Sequence, residues 1–254
     1  MKRVFFSIFA AGLLMTTVCN GASVMTMTTS SANVKILLVG SGAVTIDWGD
    51  GSEIITGTLE EYNRRWWHKR EYSHNYADES SRTITVTGEN VTHIRCDGNH
   101  LTNLDVSKNT ALTHMECRFN RLASLDVSKN TNLLRLICQG NELKSLDVSN
   151  NILLTGLDCS FNQLKNLDVS NNTSLTRLSC ACNPLNNGND ALNDLFGTLN
   201  GNAEKKIILI GRFESEEVSC NESIAKKNGW TIEKPNYKKS RKTGKPSFFI
   251  PDIV

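Results

Sequence analysis

From Ile94 onward the apolar residues fall into a rhythm that neither a helix nor an alternating strand produces. Four consecutive 21-residue blocks align without a gap, starting at Ile94, Met115, Leu136 and Leu157, and a fifth starts at Leu178 and decays after Leu185. In the second block the apolar or asparagine positions are Met115, Cys117, Asn120, Leu122, Leu125, Val127, Asn130 and Leu133. Gaps of two and three residues predict short extended segments joined by turns and do not fit a 3.6-residue period. Self-similarity at this spacing predicts stacked coils, because one coil cannot bury its own apolar face.

Each block is itself two half-repeats, since Leu122-x-x-Leu125-x-Val127-x-x-Asn130 repeats Leu112-x-x-Met115-x-Cys117-x-x-Asn120. Both sides of each coil are therefore expected to be extended, with no room for a helix on the convex side. Two rows of asparagines recur, Asn99, Asn120, Asn141, Asn162, Asn183 and Asn109, Asn130, Asn151, Asn172. Their amides are expected to serve the turn backbone that stacking buries. Cys96, Cys117, Cys138, Cys159 and Cys180 stand 21 residues apart and are expected to form one interior file. Parallel in-register neighbours do not offer disulfide geometry, and a line of thiols cannot surround a zinc ion, so these cysteines read as small buried apolar groups.

The run from Leu112 to Leu122 resembles the leucine-rich-repeat signature LxxLxLxxNxL, with cysteine at one leucine place, and five in-register copies cover about Val91 to Leu185. The resemblance implies a right-handed solenoid with a parallel sheet along its concave side, and protein recognition as its use.

The flanks have other patterns. Val34–Gly40, Ala43–Ser52 and Ser81–Gly88 read as strand runs punctuated by Gly, Asp and Asn turns. Asp47-Trp48-Gly49-Asp50-Gly51-Ser52, followed by His74-x-Tyr76, resembles a shortened β-sandwich repeat of the polycystic-kidney-disease type. Its aspartates are expected to bond turn amides. After the repeats, Leu192, Leu195, Phe196 and Leu199 share a helical face, Lys206–Gly211 reads as a buried strand, and Ser219 with Glu222 forms a capping box for a short helix closed by Gly229. This half resembles the C-terminal caps of bacterial short-repeat solenoids. The expected fold is mainly β: a leucine-rich-repeat solenoid over 91–188, an N-terminal β-sandwich-like module over 32–90 and a C-terminal α/β cap over 189–233. Residues 234–254 read as a basic flexible tail.

The extreme N-terminus changes the biological setting. Lys2 and Arg3 precede the apolar stretch Val4–Val18 and then small residues, which predicts a secretory signal over 1–22 cleaved after Gly21 or Ala22. Cys19 offers the alternative of lipidation, the single route by which a membrane is expected to be involved. Either way the chain is expected outside the cytoplasm, as a secreted, cell-surface or periplasmic protein. Without Lys2 and Arg3, the remaining 26 basic residues balance 26 acidic ones, so bulk charge gives no reason to expect nucleic acid as a partner. Outside the cysteine file, Cys182 and Cys220 are candidates for a disulfide in an oxidising compartment.

Comparison of the repeats with one another separates scaffold from candidate surface. On the half-repeat side the outward rows hardly vary: Asp105, Asp126, Asp147, Asp168 and Ser107, Ser128, Ser149, Ser170. On the other side they vary, in columns His93, His114, Arg135, Gly156, Arg177, then Arg95, Glu116, Ile137, Asp158, Ser179, then Asp97, Arg118, Gln139, Ser160, Ala181. Phe119 and Phe161 alternate with Gly98 and Gly140 just before the first asparagine row. The candidate ligand face is thus His93, Arg95, His114, Glu116, Arg118, Phe119, Arg135, Ile137, Gln139, Asp158, Ser160, Phe161 and Arg177, with a protein on a host or bacterial surface as the expected partner. A glycan contact through Trp66, Trp67 and His68 of the N-terminal module is the alternative. No nucleophile–base motif, phosphate loop or zinc signature is present, so neither catalysis nor a cofactor or metal is expected.

Overall fold

In the computed structural model, residues 22–61, 71–186, 195, 197–199, 207–209, 222–227 and 229–233 are described. Residues 1–21 of the predicted signal segment with Cys19, the residues Trp66, Trp67, His68, Leu192, Phe196, Ser219 and Cys220, and the basic tail lie outside them. Among the described residues the chain is mainly β, with a solenoid of about four turns and almost no helix.

The solenoid follows from the repeat. Each block contributes one short parallel strand: β5 (Arg82–Arg95) supplies the first rung with its C-terminal end, followed by β7 (His114–Glu116), β8 (Arg135–Ile137), β9 (Gly156–Asp158) and β10 (Arg177–Ser179). Register keeps the repeat, so His93 pairs with His114, His114 with Arg135, Arg135 with Gly156 and Gly156 with Arg177. Inward residues of these strands, Ile94, Met115, Leu136, Leu157 and Leu178, form one buried file. Cys96, Cys117, Cys138, Cys159 and Cys180 form a second. Burial pushes every one of these thiols far above its usual pKa, so the file stays protonated and apolar.

The half-repeat side differs from expectation. Only its first member, β6 (Leu101–Asp105), is a strand among the described residues. The later coils turn there, tied by single bonds such as Glu142 N–H to Leu122 O (2.9 Å) and Gln163 N–H to Leu143 O (2.8 Å). The physical reason is the partner. β6 lies against β1 (Ser23–Thr29), which supplies a full antiparallel ladder, whereas among the described residues no other strand pairs with the later coils at that corner.

The two asparagine rows hold successive coils together in different ways. In the first row, Asn141 accepts the Leu122 N–H at Oδ1 (3.1 Å) and donates to Cys117 O and Cys138 O (both 3.0 Å), a pattern that Asn120, Asn162 and Asn183 repeat, while Asn99 bonds instead to the backbone of Lys35. In the second, Asn151 donates to Val127 O (3.0 Å) and Asn130 O (2.8 Å), while Oδ1 is buried without a hydrogen-bond partner, as in Asn109, Asn130 and Asn172.

The N-terminal strands join the solenoid without a linker because β5 serves both. Its first half pairs with β1 and with β2 (Asn33–Asp47), and its second half is the first concave rung, which β2 also flanks through Leu37–Val39. β2 bends between these two pairings, and Gly40 sits at the bend, where a Cβ would lie 1.9 Å from Asn90 O. β3 (Ile55–Leu59) and β4 (Glu71–Asn75) pair with opposite ends of β2. The Asp47–Ser52 turn and the His-x-Tyr pair meet as one cluster. His74 stacks on Trp48 with ring centroids 5.0 Å apart, its Nε2 lies 2.7 Å from Asp50 Oδ2, and Tyr76 O–H donates to Trp48 O (2.7 Å). Asp47 and Asp50 each accept the N–H two residues on, from Gly49 (2.9 Å) and Ser52 (3.0 Å).

At the other end, β11 (Ile207–Leu209) and β12 (Thr231–Glu233) continue the parallel sheet beyond β10, with Arg177 paired to Ile207 and Ile207 to Thr231. A short helix, α1 (Glu222–Lys227), precedes β12, and Gly229 leaves it in the left-handed region (φ +77°) with its N–H on Lys226 O (3.0 Å).

Candidate functional site

Because side chains alternate across a strand, the residues flanking each inward position point outward from the concave sheet. His93 and His114 stack face to face, with centroids 4.2 Å apart and planes 4° from parallel. Their Nδ1 atoms lie 3.0 and 2.9 Å from the hydroxyls of Thr92 and Thr113. Those hydroxyls already donate, to Val39 O and Thr92 O. Both sets of contacts are satisfied together when each neutral ring carries its proton on Nδ1. Burial, and then the neighbouring His114, hold His93 down at about 4, and burial followed by the charge of Arg135 lowers His114.

Beside this stack lies a lattice of alternating charge. Asp97 Oδ2 takes Arg95 Nε at 2.8 Å and Arg118 Nη1 at 3.3 Å, and Arg118 Nη1 also reaches Glu116 Oε2 at 2.8 Å. Asp97 Oδ1 accepts the Arg118 backbone N–H (2.7 Å), which ties the second coil to the first. All four side chains are half-exposed. The lattice is neutral in sum and fixes two arginines in defined positions before any ligand arrives.

The later rungs are different. Ile137, Gln139, Asp158, Ser160, Ser179 and Ala181 are buried, although their strand positions point outward. Asp158 is only 3% exposed, accepts Ser160 N–H (3.0 Å) and O–H (2.5 Å), and burial raises its pKa. Arg135 is half-buried, with its stem along Gly156 and its Nε buried without a hydrogen-bond partner. Of the candidate residues, the structure therefore leaves His93, Arg95, His114, Glu116, Arg118 and Arg135 partly accessible on the face, with Phe119 exposed at its edge. Arg177 is half-buried two rungs beyond Arg135 in the same column.

Phe119 and Phe161 have a backbone reason for their placement. The residue before each asparagine of the first row adopts a left-handed conformation, at Gly98, Phe119, Gly140, Phe161 and Cys182, with φ from 53° to 71°. A Cβ on Gly140 would lie 2.6 Å from Cδ1 of Phe119, so the phenylalanine ring of one coil occupies the space that glycine leaves on the next. Phe119 and Gly140 are thus packed as a pair at a left-handed turn, whereas Cys182 follows Phe161 in this column and a Cβ on Gly98 would meet nothing within 4 Å. The sequence signal for the charge lattice was opposite charge at the same place in successive blocks, Asp97 with Arg118 and Arg95 with Glu116, while the pairs within one coil, Arg95 with Asp97 and Glu116 with Arg118, cross columns.

No protein-family model and no curated protein matches the chain. The solved structures that resemble the chain include one bacterial neighbour. It is the functional domain of InlJ from Listeria monocytogenes, described as including a cysteine ladder, with 38% identity over 47% of this chain and a TM-score of 0.41. This chain spans 25% of that one.

On the half-repeat side, each aspartate of the uniform row is engaged locally: Asp105, Asp126, Asp147 and Asp168 accept the N–H of Ser107, Ser128, Ser149 and Ser170 at 2.8–2.9 Å. That accounts for its uniformity by the turn alone. Among the described residues, no group of three or more His, Cys, Asp or Glu side chains is placed to hold a metal ion.

Proposed function

We propose that this chain is an exported, non-enzymatic binding protein that recognises a partner protein on a host or bacterial surface through the first three rungs of its variable sheet face. The observation that carries this reading is the contrast between the two sides. Outward rows on the half-repeat side repeat because each aspartate serves its own turn, whereas the columns His93, His114, Arg135, then Arg95, Glu116, Ile137, then Asp97, Arg118, Gln139 change in charge and size along the stack. Variation that the scaffold does not dictate is what a recognition surface requires. The charge lattice adds preorganisation, since Arg118 is already oriented and a partner does not have to immobilise it.

The test is capture of surface proteins by the immobilised full chain, compared with Arg135→Glu and with Asp147→Lys on the uniform row. Reversing an arginine at the centre of an interface costs about 2 kcal/mol or more, which lowers the recovered partner roughly thirtyfold. Asp147→Lys leaves recovery unchanged. Equal recovery by the wild type and Arg135→Glu overturns the reading.

A further inference from the structure

Beside the uniform aspartate and serine rows of the half-repeat side runs a column that is not uniform: Lys108, Lys129, Asn150 and Asn171. In the first two coils the lysine acts on the aspartate of its own turn. Hydrogen bonds from Ser107, and after them the charge of Lys108, hold Asp105 below the ordinary carboxylate pKa, and Ser128 and Lys129 do the same for Asp126. At Asp147 the lowering comes from Ser149, and the charge that bears on it, that of Asp126, acts the other way. Asparagine at 150 and 171 therefore takes away a cation that the earlier coils supply. Asp147 and Asp168 join no ion pair among the described residues, and neither do Lys144 and Lys165 three residues before them.

The same two coils hold a groove. A space of about 480 Å³, within the range of small-molecule sites, opens where Leu195 and Thr198 stand against them. Thr198 O–H donates to Leu195 O (2.8 Å) and its Oγ1 accepts the Val169 N–H (3.3 Å), which fixes this wall to the last coil. Leu146, Leu167 and Leu195 are the apolar part of the lining, and Asp147 and Asp168 are its charged part. Among the described residues that line it there is no lysine, arginine or aromatic ring.

We propose that this groove binds an aliphatic ammonium, its cation held between Asp147 and Asp168 and its methylene chain laid along Leu146, Leu167 and Leu195. The ligand then supplies what Lys108 and Lys129 supply to Asp105 and Asp126. Each carboxylate uses Oδ1 for its own turn and has room for further donors. Successive coils lie about 4.8 Å apart, so one ammonium making charge-assisted bonds of about 2.8 Å reaches both carboxylates. A methylene chain gains from apolar surface in the way a lysine stem does. An anion is repelled by both aspartates. A bare metal ion does not find three carboxylate, imidazole or thiol ligands there. The groove lies outside the variable sheet face and does not depend on the reading given above.

Amide NMR titration of the full chain with putrescine at low salt tests it. Shifts are expected at Ser149, Ser170 and Asn171, and high salt reverses them. The double variant Asn150→Lys, Asn171→Lys installs the residue that the earlier coils already carry and so keeps the fold, as circular dichroism verifies. Its own ammonium groups compete, and its affinity for putrescine falls at least about tenfold. The diol of the same length, which lacks the charge, leaves these amides unmoved. A lysine side chain carries the same chemistry, and N-acetyl-lysine amide separates the two sources. Binding as tight as that of putrescine assigns the groove to a lysine of another chain, and binding by putrescine alone assigns it to a free diamine. Unmoved amides with both amines, equal shifts with the diol, or equal affinity in the double variant overturns the proposal.

Discussion

At the residue scale, the positive-φ column before the first asparagine row is where sequence and backbone are in most direct tension. An L-residue pays about 1 kcal/mol or more to sit there. Phe119 does so at φ 53°, and Gly140 on the next coil at φ 71° leaves the room its ring uses. Gly140→Ala adds both the conformational cost and an overlap with Cδ1 of Phe119, together roughly 2–3 kcal/mol of lost stability in urea denaturation. In a Phe119→Ala background the ring is gone, and the same substitution costs only the conformational part, about 1 kcal/mol. A coupling near zero in this double-mutant cycle would show that the ring and the glycine do not depend on each other.

At the scale of the coil, the two asparagine rows look equivalent in the sequence and are not. Removing the Asn141 side chain leaves the Leu122 N–H with no partner, whereas Cys117 O and Cys138 O keep bonds from Asn120 and Asn162. Removing Asn151 strands nothing, because Val127 O and Asn130 O still accept Asn130 N–H and Leu133 N–H, and Oδ1 was already unpartnered. A buried donor left unpaired costs about 1–3 kcal/mol, so Asn141→Ala is expected to destabilise by that much more than Asn151→Ala. Chemical denaturation of the two variants at neutral pH decides it, and equal losses would contradict the bonding pattern. What the sequence carried at this scale was whatever recurs: the rung positions, the buried files and both rows. It did not carry pairing between distant segments. Nothing near Thr26 announces that it lies opposite both Thr85 and Asp105, and nothing in the apolar run at Ile207 names Arg177 as its neighbour. Nor does an outward strand position reveal burial, which is why Ile137, Gln139, Asp158 and Ser160 looked accessible and are not.

At the scale of the whole molecule, the question is how far a disturbance at one end travels. A stack in which each coil touches mainly its neighbours is a nearly one-dimensional system, with stability summed from coil and interface terms. The N-terminal strands enter that sum on both sides of the first coil, β2 along the concave rung and β1 along β6. Met27, fully buried, pairs with Ile84 on one side and Leu104 on the other, so it links the two. Met27→Ala leaves a cavity there and is expected to cost about 2–5 kcal/mol locally. If coupling runs coil by coil, hydrogen exchange of the Leu101–Asp105 amides accelerates strongly, that of Leu122 less, and that of Leu143 and Leu164 hardly at all. If the chain instead opens in one cooperative step, all four regions accelerate together. The gradient is the expected result because the later coils owe their closure to Asn141, Asn162 and Asn183, each bonded to its own coil and the one before, and none of them touches β1.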